Sequence, residues 1–334
     1  MRAVVLHETA NIDGAPLSRE EIGTPNPSAG EVLVTVSTCG VCRTDLHIIE
    51  GDLPARKRPL VPGHQAVGRV DRLGDDCHRL RVGDRVGIPW LRSTDGTCRF
   101  CQEGRENLCP ASQYTGYDSD GGFAEFAVVP EEFAYTLPAS IDDIAAAPLL
   151  CAGLIGYRSL NRAAVPPGGK LLLVGFGSSA HVVLQIAQHR GNHVYVVSRS
   201  RGHRALAESL GAEWAGEDTA NLPAKMDSAI LFAPVGDLVP PIMEQLDRGG
   251  TLAIGGIHLS DIPSLEYERH LFYDKQIRSV AANTREDGRN LLAEAVAAGV
   301  HASTTAYPLA EANRALQDLK HSRIDGTGVL VIAA

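Results

Sequence analysis

Two groups of cysteines in this chain have the residue types and spacing to do chemistry. In TDGTCRFCQEGRENLC, Cys98, Cys101 and Cys109 follow C-x2-C-x7-C, and Asp95 stands three residues before the first of them. Three thiolates and a carboxylate so close in sequence can close a tetrahedral zinc site within one loop. Four protein ligands leave no open coordination position, so the expected role is structural. A carboxylate is a harder ligand than a thiolate, and the site is expected to be weaker than an all-cysteine one. The second group, CGVCRTDLH at residues 39–47, sets Cys39 and Cys42 at C-x-x-C spacing and ends on His47. By itself it fits a zinc ribbon, a redox disulfide, or half of a site completed elsewhere.

A third motif lies in the other half of the chain. KLLLVGFGSSA is an apolar run entering a glycine-rich turn, in which Gly175, Gly177, Ser178, Ser179 and Ala180 spell G-x-G-x-x-A. After a strand and at the start of a helix, this pattern is a dinucleotide fingerprint. The first glycine makes the turn, the second lets the backbone approach a pyrophosphate, and the small third residue packs helix on strand. The helix N-terminus then offers free N–H groups to the phosphates. The next strand, HVYVVS, ends on Ser198 and Arg199 rather than on the acid that would hold an NAD ribose. A small neutral residue beside an arginine favours NADP over NAD, the alternative being that Arg199 and Arg201 are solvated surface charges.

Hydrophobic patterning supplies the elements that must hold these motifs. Residues 1 to about 150 read as short strands broken by Gly and Pro: AVVLHE, EVLVTVSTCG, QAVGRVDRLG, GDRVGIPWL and GGFAEFAVVP. Such runs suggest an irregular antiparallel barrel. Beyond residue 151 the pattern becomes β–α alternation. KLLLV, HVYVVS, AILFAP and TLAIGGI read as buried strands, HVVLQIAQHRG and LVPPIMEQLDRGG as helices, which implies a parallel sheet with helices on both faces. From 283 onward, REDGRNLLAEAVAAG and PLAEANRALQDLK read as helices before a terminal strand.

All 7 cysteines fall in the first 151 residues, so one half is metal-capable and the other has no thiol. An odd cysteine count in a long chain whose start, MRAVVLHETA, lacks a signal-peptide core points to reduced thiols, and a cytoplasmic location is expected. No run of about 18 apolar residues is present to span a bilayer. A formal net charge of −9 without a Lys/Arg cluster argues against a nucleic-acid binder.

In order along the chain, CGVCRTDLH, VPGHQAVGRV, the short cysteine loop, DGGFAEFAVVP, AAPLLCAG and VGFGSSA resemble the zinc-dependent medium-chain alcohol dehydrogenases, over nearly the whole chain. The resemblance implies a GroES-like catalytic domain at 1–151 and 283–334 and a Rossmann coenzyme domain at 152–282. It implies interconversion of alcohols with aldehydes or ketones by hydride transfer to or from NAD(P), and two zinc ions per chain. Carried over by motif position, Cys42, His64 and Cys151 are the catalytic ligands. A Cys2His catalytic set is the one alcohol dehydrogenase itself exemplifies. Thr44 and His47 then form a proton relay, Asp45 fixes the ligand histidine, Arg43 meets the cofactor pyrophosphate, and Trp90 lines the substrate pocket, unless Trp90 is an ordinary core aromatic.

Cys39 becomes a neighbour of the site and Cys77 incidental. One departure stands out: the family usually carries Glu after the ligand histidine, and this chain has Gln65. Removing that negative charge should make the zinc more electrophilic. The resemblance also implies a homodimer or homotetramer joined by sheet extension between coenzyme domains, and a small-molecule alcohol or aldehyde substrate. Two rivals remain: a zinc-free enoyl or quinone reductase on the same scaffold, which would lack the ligand set, and a zinc-ribbon binding protein, which would lack the fingerprint.

Overall fold

The computed structural model describes residues 1–332. They divide into two compact units, one of residues 1–152, 282–296 and 302–332, the other of residues 153–281 and 297–301. Residues 297–301 lie within the 283–334 stretch yet group with the second unit. There the Gln185 amide donates to the His301 carbonyl at 3.1 Å and accepts its N–H at 2.9 Å.

The first unit is built on Glu31–Gly40, where EVLVTVSTCG buries Val32, Leu33, Val34 and Val36 completely. Residues buried on both faces belong to a central strand. Ala66–Leu73 and Phe126–Pro130 pair with it antiparallel, with register shifts in the first pairing that curve the sheet. Arg85–Ile88 and Tyr135–Thr136 extend it on one side, Thr327–Val331 and Thr304–Pro308 on the other. Thr327–Val331 sets Val329 against Gly40 and Leu330 against Cys39, and the Val41 N–H donates to the Gly328 carbonyl at 2.8 Å. The unit is therefore a GroES-like irregular β domain. Its core includes Phe123, Ile12, Leu6 and Ile88, each worth roughly 1.5–3 kcal/mol of burial.

The second unit is a six-stranded, all-parallel sheet in the order Trp214–Gly216, His193–Val197, Lys170–Val174, Met226–Leu231, Leu246–Ile254, Gln276–Ser279. Leu171, Leu172 and Leu173 are fully buried, as a central parallel strand between two helix layers requires. The order reverses beside Lys170–Val174, which is the switch point where a Rossmann sheet binds dinucleotides.

One local expectation differs from the structure. The helix read over LVPPIMEQLDRGG covers only Val239–Gln245, and LDRGG begins the strand Leu246–Ile254. Pairing of Leu246 with Met226 outweighs the apolar spacing that suggested a longer helix. Arg43–Glu50, to which the hydrophobic patterning assigns no element, forms a helix with Thr44, Asp45, Leu46, Ile48 and Ile49 buried. Among the described residues, no helix is long and apolar enough to cross a membrane.

Candidate active site

Cys42 follows the central strand and caps the helix Arg43–Glu50 in an extended conformation. Its N–H donates to Asp45 Oδ2 at 2.9 Å, the usual role of an acid in a helix's first turn. The other oxygen of the same carboxylate, Oδ1, lies 2.9 Å from His64 Nδ1, both side chains being wholly buried. One acid thus fixes the backbone of Cys42 and the ring of His64. Gly63, before His64, adopts φ +97°, and a side chain there would come within 2.4 Å of Phe123 Cδ1 and 2.9 Å of Cys39 Sγ. Only glycine passes that point.

Cys151 sits on a single π-helical turn, Leu149–Gly153, with its Sγ 3.8 Å from Cys42 Sγ. The donor atoms of Cys42, His64 and Cys151 all lie within 4.8 Å of one another. His64 Nε2 is buried and finds no hydrogen-bond partner among the described residues. The hydrogen bond from Cys151, with help from His64 against the cost of burial, holds the Cys42 thiol well below its ordinary range. Cys151 moves the opposite way, raised by Cys42 and then by burial. Burial would lower His64, but the charge and hydrogen bond of Asp45, together with Cys42, push it up to about 10. Two thiols sharing one ionisation beside an imidazole whose inner nitrogen is orphaned make a donor set suited to one divalent cation, with the outer nitrogen already oriented by a carboxylate.

The second donor group is Asp95, Cys98, Cys101 and Cys109, again within 4.8 Å of one another. Asp95 Oδ1 accepts the N–H groups of Thr97 and Cys98, both at 2.9 Å, and the Asp95 N–H donates to Cys109 Sγ at 3.5 Å. Those backbone donors hold the Asp95 carboxyl far below the usual carboxylate range. Four donor atoms gathered this closely fit a closed tetrahedral site. The loop is tied down by buried Glu106, which accepts from the Arg285 N–H at 2.9 Å and from its guanidinium at 3.2 Å.

Around the trio, the Thr44 hydroxyl lies 3.7 Å from Cys42 Sγ, and His47 Nδ1 lies 2.8 Å from Asp52 Oδ2. No spacing in the sequence marks Asp52, since its partner sits across the end of a helix. The Trp90 ring meets the His64 ring edge to face, with centroids 5.0 Å apart. Gln65 is buried against Gly40, and neither of its amide atoms finds a hydrogen-bond partner among the described residues. Cys39 is fully buried, donates weakly to the Gly40 carbonyl at 3.7 Å, and belongs to neither donor group. Cys77 bonds the Glu31 carbonyl at 3.2 Å, remote in sequence from both. Arg43 is exposed at the helix start.

In the second unit, Gly175 takes φ +87°, and a Cβ there would meet the Ala233 backbone nitrogen at 2.9 Å. A Cβ on Gly177 would meet nothing within 4 Å, leaving the open approach a pyrophosphate needs. Gly177 caps the helix Ser178–His189, and Ala180 is fully buried at its first turn. Ser198 follows the second strand, nearly buried, and Arg199 beside it is exposed. Arg204, unremarked in the sequence, donates through Nη1 to the carbonyls of Ser198 at 2.7 Å and Arg199 at 3.0 Å.

Residues 28–139 match the alcohol dehydrogenase GroES-like domain family. A probable alcohol dehydrogenase of Mycobacterium tuberculosis is 50% identical over 337 residues, spanning 99% of this chain and 97% of that protein. An alcohol dehydrogenase of Geobacillus stearothermophilus is 34% identical, spanning 99% and 98%. The solved structure of a cobalt- and zinc-bound thermostable alcohol dehydrogenase from Pyrobaculum aerophilum superimposes with a TM-score of 0.89 at 27% identity, covering 99% of each chain. With full-length relatives of that identity, a GroES-like unit joined to a Rossmann unit, and a Cys2His donor set, this chain belongs to the zinc-type medium-chain alcohol dehydrogenases, oxidoreductases that interconvert alcohols and carbonyl compounds with a nicotinamide cofactor.

Proposed function

We propose that Cys42, His64 and Cys151 hold the catalytic zinc of this alcohol dehydrogenase, that Asp95, Cys98, Cys101 and Cys109 hold a second, structural zinc, and that NADP is the favoured coenzyme. The observation that carries the reading is His64 Nε2, buried without a partner among the described residues and facing two thiols. Zinc supplies a Lewis acid for the alcohol or carbonyl oxygen, and the nicotinamide accepts or gives the hydride. Asp45 holds His64 so that Nε2, not Nδ1, is the donor. The Thr44 hydroxyl, next to Cys42, takes the proton released by the alcohol. His47 passes it outward, its Nδ1 engaged by Asp52. Arg43, Ser178 and Ser179 serve the coenzyme phosphates, the two serines from the first turn of the fingerprint helix. The zinc-free reductase alternative finds no support in a chain that retains three convergent donors, and the fingerprint speaks against a zinc-ribbon module.

The reading includes a homo-oligomer joined along the edge strand Gln276–Ser279, beside which Tyr267, Phe272 and Tyr273 are exposed. Native mass spectrometry should find particles of more than one chain with two zinc ions per chain. One zinc per chain would remove the second metal site from the proposal.

Coenzyme choice is tested at Arg199. Arg204 holds the carbonyls of Ser198 and Arg199, so a change of the Arg199 side chain alters charge while the loop stays seated. Arg199→Asp should repel a 2′-phosphate and accept a ribose hydroxyl, shifting the ratio of NADPH to NADH affinity toward NADH by about tenfold or more. Fluorescence titration with each coenzyme measures it, and an unchanged ratio would return Arg199 to the solvated surface.

A further inference from the structure

We infer that Tyr114 and Tyr117 are positioning residues that lock Trp90 into a fixed aromatic wall beside the catalytic ligands, and that this wall selects unbranched primary alcohols and their aldehydes over secondary alcohols with a bulky second substituent. The inference rests on the reading of Trp90 as a residue of the substrate pocket.

The wall is a three-ring stack. The Tyr114 ring lies 4.7 Å from Trp90 at an interplanar angle of 17°, and the Tyr117 ring lies 5.9 Å away at 24°. The edge-to-face contact with His64 completes the surround. The backbone fixes the same geometry. Leu91, next to Trp90, pairs with Tyr114, and the Thr115 N–H donates to the Trp90 carbonyl at 2.9 Å.

Tyr117 is braced in turn. Its hydroxyl donates to the Pro54 carbonyl at 2.7 Å, and the Arg56 guanidinium sits 4.9 Å over its ring while pairing with Asp118 at 3.1 Å. Lys57 pairs with Asp120 at 2.7 Å, a second clip between the same two loops. A cation over an aromatic face and near-parallel aromatic pairs both favour the observed ring orientations. The indole therefore has no free rotamer to swing into without breaking a stack.

Rigidity is what turns this contact into selection. His64 cannot retreat, since it is fully buried and held by Asp45. A wall 5.0 Å from its ring thus stands at a set distance from a proposed zinc ligand. A primary carbinol carbon carries two hydrogens, one transferred and one small enough to face an aromatic surface. A secondary carbinol replaces the remaining hydrogen with a carbon group, which a fixed wall excludes and a mobile one would accommodate. One added carbon group against a fixed surface changes kcat/KM by roughly 10- to 200-fold.

The experiment compares 1-butanol with 2-butanol on the holoenzyme. Tyr114→Leu should raise the 2-butanol to 1-butanol ratio of kcat/KM by about tenfold, and Tyr114→Phe, which keeps the ring, should leave it within about twofold. Zinc content should match wild type in both. The chain has two tryptophans, so in a Trp214→Phe background the fluorescence anisotropy of Trp90 reports its local motion directly. The anisotropy should fall in Tyr114→Leu and hold in Tyr114→Phe. Arg56→Ala, on an exposed loop, gives a second route should Tyr114→Leu not fold, with the same direction at about two- to threefold. Unchanged ratio and unchanged anisotropy in the folded variants overturn the bracing. If Trp90→Ala itself leaves the ratio unchanged, the pocket reading of Trp90 fails. If Trp90→Ala raises the ratio while the tyrosine and Arg56 variants do not, only the bracing fails.

Discussion

Cys42→Ala and Cys151→Ala should each lose about one zinc per chain and lower kcat/KM by at least about a thousandfold, equivalent to roughly 4 kcal/mol of transition-state stabilisation. Each removes one of two thiols 3.8 Å apart, and the single thiolate that remains beside a neutral imidazole cannot neutralise a dication. NADPH affinity should be retained, because Gly175, Gly177 and Ala180 belong to the other unit and keep their own hydrogen bonds. Metal analysis, steady-state kinetics and coenzyme titration on the same preparations separate these effects. Near wild-type turnover in either variant would reject the trio as the catalytic metal site.

Asp45→Asn is expected to weaken zinc binding by about 10- to 100-fold, the usual cost of losing the partner that orients a ligand histidine. The effect should be large for one atom's change, because the carboxylate serves two ligands at once, Cys42 through its N–H and His64 through Nδ1. An asparagine can still accept from the Cys42 N–H, but turning its amide nitrogen toward Nδ1 presents a donor to a donor. Asp45→Ala should be worse, leaving a buried imidazole N–H unpaired at about 1–3 kcal/mol of stability. Competition with a chromogenic chelator gives the zinc affinity and thermal unfolding the stability. An unchanged chelator midpoint in Asp45→Asn would show that His64 is oriented by packing alone.

The parts of this protein that could be read from sequence are those whose chemistry is local. The cysteine loop at 95–109 puts its four donors within one turn-rich segment, and the fingerprint at 175–180 depends on glycines whose backbone needs are written in the residues themselves. The parallel sheet announced itself through apolar runs such as KLLLV. The helix Arg43–Glu50 did not, because it is short and its cap is a thiol rather than a hydroxyl or carboxyl side chain. Cys42, His64 and Cys151 come from three distant elements, and only the ordered resemblance joined them. Asp52 on His47, Arg204 under Ser198 and the tyrosines against Trp90 are contacts across loops that no spacing rule encodes. The ends of helices are hidden in the sequence where a strand claims the residues, as at Leu246.

The pairing of Thr327–Val331 with Glu31–Gly40 bears on how the active site comes into being. The peptide just ahead of Cys42 is held by the Gly328 carbonyl, and Cys39 and Gly40 take their register from Leu330 and Val329. A ribosome delivers Cys42, His64 and Cys151 long before it delivers Gly328. The strand end that leads into Cys42 is held by Ala66 and Gln65 on one side, and it gains its second edge only when the last strand has been made. A chain shortened before residue 327 would keep the pairing with Ala66–Leu73 but lose the edge that fixes the peptide ahead of Cys42, one of the three proposed zinc ligands.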